Sequence, residues 1–376
     1  MMISLRCLKP SNYPWHALNF LMCTMVIVAC SRQEQPVQTV GNMPQEIRVV
    51  SLAPALTQMI VDLKAEKLLV AVGENDMAAP QGLPTVGPYP NYDKEAIVSV
   101  RPTHVLMMQP QAGVPSHLKQ LAKSLGFRLV SYKYPSRLTE VGKILCDYDD
   151  ALSSGFPSQS QSMAYVLNRH DRGSFLREVL LYGGLAKLNK RIANKTRQRV
   201  LMVINTNPVI TAIGPDTVHS DLLRFMLNSD NAASASKRTA VEMDREMLLT
   251  AKPDVILLLS PNAPALHPVG EDPRLTVLEG MDIPAVTNER IVLIDNPLVL
   301  LPSTSLVHIG LAMAKGIFPE MESKLDQILP ELEATEEKGQ PVDRVSQVGA
   351  GKLLSLIHIS EPTRPRLISY AVFCLK

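Results

Sequence analysis

Asp93-Lys-Glu-Ala-Ile-Val-Ser-Val-Arg-Pro-Thr-His-Val-Leu106 returns later in the chain as Asp244-Arg-Glu-Met-Leu-Leu-Thr-Ala-Lys-Pro-Asp-Val-Ile-Leu257. The copies stand 151 positions apart (244 against 93), and the same offset carries Arg48-Val-Val50 onto Arg199-Val-Leu201. Each copy reads in the same way. An aspartate is placed to cap a helix, and a glutamate in its first turn favours the helix dipole. A proline then ends the helix, because the residue before it is pushed out of the helical region. An apolar strand follows. The chain is therefore expected to be one α/β unit built twice, and two such lobes leave a cleft suited to a small ligand.

Working outward, 376 residues leave room for two or three domains at roughly 100–200 residues each. Apolar residues make up 46% and charged residues 20%, the balance of a globular protein, and 29 prolines favour ordered loops over a helical bundle. The formal charge of +2 belongs to the ends. Setting aside Arg6 and Lys9 at the start, and Arg364, Arg366 and Lys376 against Glu361 at the end, leaves −2 for residues 30–353. Such a body carries no nucleic-acid footprint.

Residues 1–29 read as a secretion signal: Arg6 and Lys9 precede an apolar stretch from Ala17 to Val28, broken by Asn19 and Thr24. That stretch is short of the ~20 residues a spanning helix needs. It ends Ile27-Val28-Ala29-Cys30-Ser31, which resembles a bacterial lipobox, so Cys30 is expected to carry a lipid anchor. A polar tether over 30–46 would join it to the fold. Cys7 and Cys23 leave with the signal and Cys374 lies near the other end, so Cys146 alone remains and no disulfide framework is expected. Residues 354–376 read as translated sequencing-adapter sequence.

The body divides into an N-terminal lobe at 47–145, a connecting helical segment at 146–198, a C-terminal lobe at 199–320 and a tail at 321–353. In the first lobe, strands are expected at 47–52, 68–72, 105–108 and 127–132, and helices at 56–63, after Asp93, and at 116–125. The second repeats this with strands at 200–204, 255–259 and 291–294. Its helices are expected at 222–227, 245–250, 275–280 and 305–316. Gly183-Gly184 marks a weak point between two helical runs of the connection.

Arg48-Val-Val-Ser-Leu-Ala-Pro54, Pro84-x-Val-Gly87, the paired blocks and the closing segment Leu306 to Glu320 resemble the class III substrate-binding proteins of bacterial ABC importers. That resemblance implies two Rossmann-like lobes with parallel central sheets, joined by a long rigid helix, with the ligand in the cleft between them. It also implies a cargo of cobalamin, ferric siderophore or haem, and delivery to a membrane permease with its ATPase. Glu95 and Glu246 fall where the family carries its permease-docking glutamates. Tyr89, with Tyr92 beside it, falls where an aromatic ring stacks on a flat ligand. Ala53 and Pro54, Gln109, Gln111, Asn207 and Gly214 are candidate contacts at strand ends and a helix start. The expected protein is a monomer without intrinsic cofactor, exported to the periplasm or outer face of the cell membrane. Two other readings stand beside it. A zinc- or manganese-capturing protein would gather ligands from His104, His117, His170, His219, His267 and His308, which show no paired spacing. An exported enzyme would need a nucleophile elbow, P-loop or carboxylate dyad, and none is present.

Overall fold

The computed structural model describes residues 46–146, 161–261 and 264–339. The expected signal, the Cys30 anchor, the tether up to 45 and the 354–376 segment lie outside them. Four parallel strands form the first sheet: β1 (Val49–Ser51), β2 (Leu69–Val72), β3 (His104–Gln109) and β4 (Arg128–Lys133), in the order β2-β1-β3-β4. Their crossovers carry α1 (Pro54–Asp62), α2 (Lys94–Ser99) and α3 (Ser116–Leu125), with α4 (Leu138–Leu145) after the last strand. Local chemistry sets the helix ends. Pro54 occupies the first turn of α1, where a missing N–H costs nothing, and the left-handed Gly126 closes α3.

The second sheet holds β5 (Gln198–Asn205), β6 (Ile210–Ile213), β7 (Ser229–Asn231), β8 (Ala240–Met243), β9 (Val255–Ser260) and β10 (Ile291–Asp295). Its path is β10-β9-β5-β6-β8, with β7 paired to the start of β5. Here the expectation of a wholly parallel sheet needs correction. β10, β9, β5 and β7 run parallel, but β6 is antiparallel to both β5 and β8. The cause is a reversal after Asn205, whose amide donates to Asn207 O at 2.9 Å and sends β6 back along the outer half of β5.

The 151-residue offset survives in three dimensions. Val49 lies opposite His104, and Val200 opposite Val255. The Arg48 amide donates to Thr103 Oγ1 at 2.8 Å, and the Arg199 amide to Asp254 Oδ2 at the same distance. Thr103 N returns to Arg48 O and Asp254 N to Arg199 O, again at 2.8 Å.

Between the sheets run α5 (Met163–Val166) and one unbroken helix over 170–192. That helix comprises α6 (His170–Phe175), a π-helical stretch (Leu176–Gly183) and α7 (Gly184–Ile192). Phe175, Gly183 and Gly184 all keep right-handed helical angles, so the expected weak point at Gly183-Gly184 is not a break. Gly184 is there for packing: a Cβ would come within 3.0 Å of Leu332 and Val307 side-chain atoms. In the second half, α8 (Val218–Asp221) runs into a π turn (Leu222–Met226), and α9 (Arg245–Ala251), α10 (Pro284–Thr287) and α11 (Leu306–Ile317) follow. α12 (Glu322–Leu325) and α13 (Ile328–Gly339) close the described chain. The helix expected at 275–280 is only a 3₁₀ turn, Thr276–Leu278.

Alternation along the strands divides the interior into three cores. Val50, Leu52, Val105 and Met107 face α2 and α3. Leu201, Val203, Ile256 and Leu258 face α9 and α10. The opposite faces of both sheets, with α1, the 170–192 helix and α11, share a single cluster that includes Val49, Leu106, Leu185, Met202 and Leu257.

Candidate functional site

Parallel strands deliver their following loops to one edge, the carboxyl edge, where α/β proteins hold ligands. At that edge of the first sheet, β1 leads into Ala53 and Pro54, both buried, with Ala53 O accepting from the Leu56 and Thr57 amides. The 84–93 loop is stitched to β2: Val86 N donates to Val72 O at 2.9 Å and Glu74 N to Gly87 O at 3.0 Å. Gly87 takes φ +84, and a Cβ there would come within 3.1 Å of Asp93 N, so the turn requires glycine. That turn presents Tyr89, half-buried and edge-on to Tyr92, with centroids 6.2 Å apart and planes at 72°. Tyr92 is 6% exposed and donates its hydroxyl to Leu52 O at 3.2 Å, so it supports Tyr89 from within the core. Gln109 ends β3 half-buried, and Gln111 is exposed in the next turn.

Across the second sheet, Asn207 is exposed in the turn after β5. Gly214 is buried: a Cβ would fall 1.7 Å from Arg238 O, and its amide donates to Thr239 O at 2.8 Å. It lets two backbones meet, but because β6 runs antiparallel to β5 the turn at Gly214 lies back along β5, away from the carboxyl edge. The long loop after β9 reaches the same edge and is held by Asp272, 1% exposed. That carboxylate accepts from Arg274 Nη2 at 2.6 Å, Arg274 Nε at 2.9 Å and His267 N at 3.1 Å. Arg274 also donates to Ala265 O at 2.9 Å and Pro264 O at 3.2 Å. The guanidinium keeps the Asp272 carboxyl far below the usual carboxylate range.

A second feature escapes sequence reading. Thr57 Oγ1 lies 2.7 Å from Ser51 Oγ and 2.6 Å from Asp76 Oδ2, while Asp76 Oδ1 accepts from Ala78 N at 3.0 Å. Ser51 and Thr57 are fully buried. Burial pushes the Asp76 carboxyl up to about 6, against the pull of its hydrogen bonds. The chain ties the loop after β2 to the start of α1, beside Ala53 and Pro54. No local motif announces it, because its members are joined only by the fold.

Glu95 and Glu246 lie exposed in the first turns of α2 and α9, one beside each sheet. Asp93 Oδ1 accepts from Glu95 N and Ala96 N at 2.8 and 3.2 Å, and Asp244 Oδ1 from Met247 N at 2.8 Å. Among the described residues no three His, Cys, Asp or Glu side chains gather as a metal site. His219 is buried with Nε2 paired to Val299 O at 2.8 Å, and burial lowers the pKa of His219, His104 and His308. A depression of about 420 Å³ lies elsewhere, lined by Lys187, Lys190, Arg191, Met321, Lys324 and Glu331. No helix among the described residues is long and apolar enough to cross a membrane.

A family model described as periplasmic binding protein matches residues 49–298, spanning both sheets. Among the solved structures, the chain is similar to the periplasmic haem-binding protein RhuT of Roseiflexus sp. RS-1. Identity is 22%, over 72% of this chain and 99% of that one, with a TM-score of 0.57. The periplasmic haem-binding protein HutB of Vibrio cholerae aligns at 21% identity over 73% and 98% of the two chains, TM-score 0.57. The vitamin B12-binding protein BtuF of Vibrio cholerae aligns at 18% identity over 77% and 98%, TM-score 0.52. No match was found among the curated proteins.

Proposed function

The chain belongs to the periplasmic binding protein family, and on that premise we propose that it is the substrate-binding lipoprotein of an ABC importer. Its cargo is a haem, a corrinoid or a ferric siderophore, and it hands that cargo to a permease driven by its ATPase. The observation that carries this reading is the family match across both sheets, joined to two carboxyl edges whose loops are held by hydrogen bonds. We divide the chain into lobes at 47–145 and 199–320 joined by 146–198, a reading supported by one sheet in each lobe and the helix over 170–192.

Ligand contact falls to Tyr89, backed by Tyr92, to the α1 start at Ala53 and Pro54, and to Gln109, Gln111 and Asn207. A half-buried tyrosine braced edge-on by a second ring keeps its face in one orientation at little entropic cost, which suits stacking on a macrocycle. Its phenol also offers an oxygen to a ferric centre. Glu95 and Glu246 act as permease-docking points, where two like charges on separate elements orient the encounter. Cys30 carries the lipid anchor, the protein works as a monomer, and it catalyses no reaction.

Titration with haemin, cyanocobalamin and a ferric hydroxamate, each followed by its visible band, tests the cargo. The expected outcome is saturable binding of one of the three below about 1 µM, weakened at least tenfold by Tyr89→Ala with the fold intact. Failure of all three to bind below roughly 100 µM overturns this cargo class.

A further inference from the structure

The repeat preserves more than a fold needs. Ile97 and Leu248 are matched because both fill a core against the outer face of a sheet. No such need acts one residue further along. Val98 and Leu249 stand at the same 151-residue offset on α2 and α9, and are 40% and 36% exposed. Their exposed neighbours match in chemistry as well: Lys94 with Arg245, Glu95 with Glu246, Ser99 with Thr250, and Arg101 with Lys252. The half-buried position between them is free to vary, Ala96 against Met247. Arg101 and Lys252 adopt left-handed backbone, φ 44 and φ 41, where glycine or asparagine is favoured. Each copy keeps a cation there instead.

On a helix, positions i, i+4 and i+7 share a face. Lys94 and Val98 therefore form one stripe on α2 with Glu95 beside it, and Arg245 and Leu249 form its counterpart on α9 beside Glu246; Arg101 and Lys252 follow at the helix ends, on left-handed backbone. We infer that each stripe is a composite docking patch whose centre is the apolar side chain, with Val98 and Leu249 seated in apolar hollows of the permease. Glu95 and Glu246 take cations there, and the flanking Lys94, Arg101, Arg245 and Lys252 take carboxylates. This rests on the permease reading above and adds residues to it. An apolar centre inside a charged rim is the arrangement that excludes water from an interface. Because the two patches are alike in size, sign and order, the occupant is a permease that offers the same receiving surface twice.

The test measures affinity of the full chain for its importer's permease–ATPase complex in nanodiscs, with ligand affinity and unfolding midpoint followed in parallel. Val98→Ser and Leu249→Ser should each weaken docking about tenfold, with the other two quantities unchanged. The exchange of Val98→Leu with Leu249→Val should dock like the parent. Glu95→Ala with Glu246→Ala serves as the control. If that control loses docking while the serine variants bind like the parent, the apolar seat is wrong and the permease reading stands. If neither set changes docking, both fall. Sedimentation that shows parent self-association abolished by the serine variants, with permease binding intact, makes a second copy of this chain the occupant and also overturns the proposal.

Discussion

Asp76 shows how a single carboxyl couples the candidate site to pH. Its folded pKa of about 6 stands above the ordinary 3.8 because burial disfavours the charged form. Unfolding returns the group to its ordinary value, so between about pH 4 and 6 the folded protein holds a proton that the unfolded chain has released. Stability is therefore highest on the acid side of this window and falls as pH rises through 6, reaching its full deficit above it. Asp76→Asn removes the buried charge, can still accept from Ala78 N, and can donate to Thr57 while Thr57 donates to Ser51. It should raise stability at pH 7.5 by ~1–2 kcal/mol and flatten the decline between pH 5 and 7 in urea denaturation. A variant as pH-dependent as the parent would assign the window to another group. Only part of this scale was legible beforehand. Asp93 and Asp244 announce themselves as caps because their partners lie two or three residues away. Tyr92 and Asp76 do not, since Leu52 O lies 40 residues before Tyr92 and Thr57 lies 19 before Asp76.

Among the elements, the helix over 170–192 departs most from its sequence pattern. Two adjacent glycines cost roughly 1 kcal/mol each against alanine in a helix interior, yet the helix continues because both sides of it are packed. Lys187 and Arg191 hold Glu331 on α13 at 2.9 and 2.7 Å, and Asn189 donates to Phe225 O at 3.0 Å. Toward the first sheet, Arg172 donates to Asp62 O at 3.0 Å and Arg177 to Cys146 O at 2.8 Å. The tightest of these contacts is steric: a Cβ on Gly142 of α4 would fall 2.0 Å from Tyr182 Oη. Gly142→Ala should cost ~1–3 kcal/mol in chemical denaturation, and most of that should return when Tyr182→Ala is added. Equal costs in the single and double variants would locate the strain elsewhere. Antiparallel β6 and β8 were not legible, for they are four residues each and β6 is placed by a turn after Asn205. The four strands of the parallel frame that begin at or beside Arg48, Pro102, Arg199 and Pro253 were legible, because the repeat marks both ends of each crossover.

At the scale of the whole molecule, the repeat told of two sheets but not that they share an interior. A strand buried on both faces reads as a continuous apolar run, and nothing in Val200-Leu-Met-Val203 says which residues look toward the other half. The structure assigns Val200 and Met202 to the common core and Leu201 and Val203 to a separate one. Polar ties cross the same junction. Asp221 at the end of α8 accepts from Leu138 N, the first residue of α4, at 2.8 Å and lies 3.6 Å from Arg137, and Thr304 donates to the Asp62 carboxylate. Two bodies with private cores and a soft linker melt separately; two that share one core do not, because either half alone would expose the apolar face it turns to its neighbour. Calorimetry should therefore give a single transition whose van't Hoff and calorimetric enthalpies agree. A ligand that binds only the folded state should move that one transition as a whole, by ~2.7 kcal/mol at a hundredfold excess over Kd. Two resolved transitions, or a ligand that shifts only one of them, would separate the halves energetically and remove the ground for treating the space between their carboxyl edges as a single site.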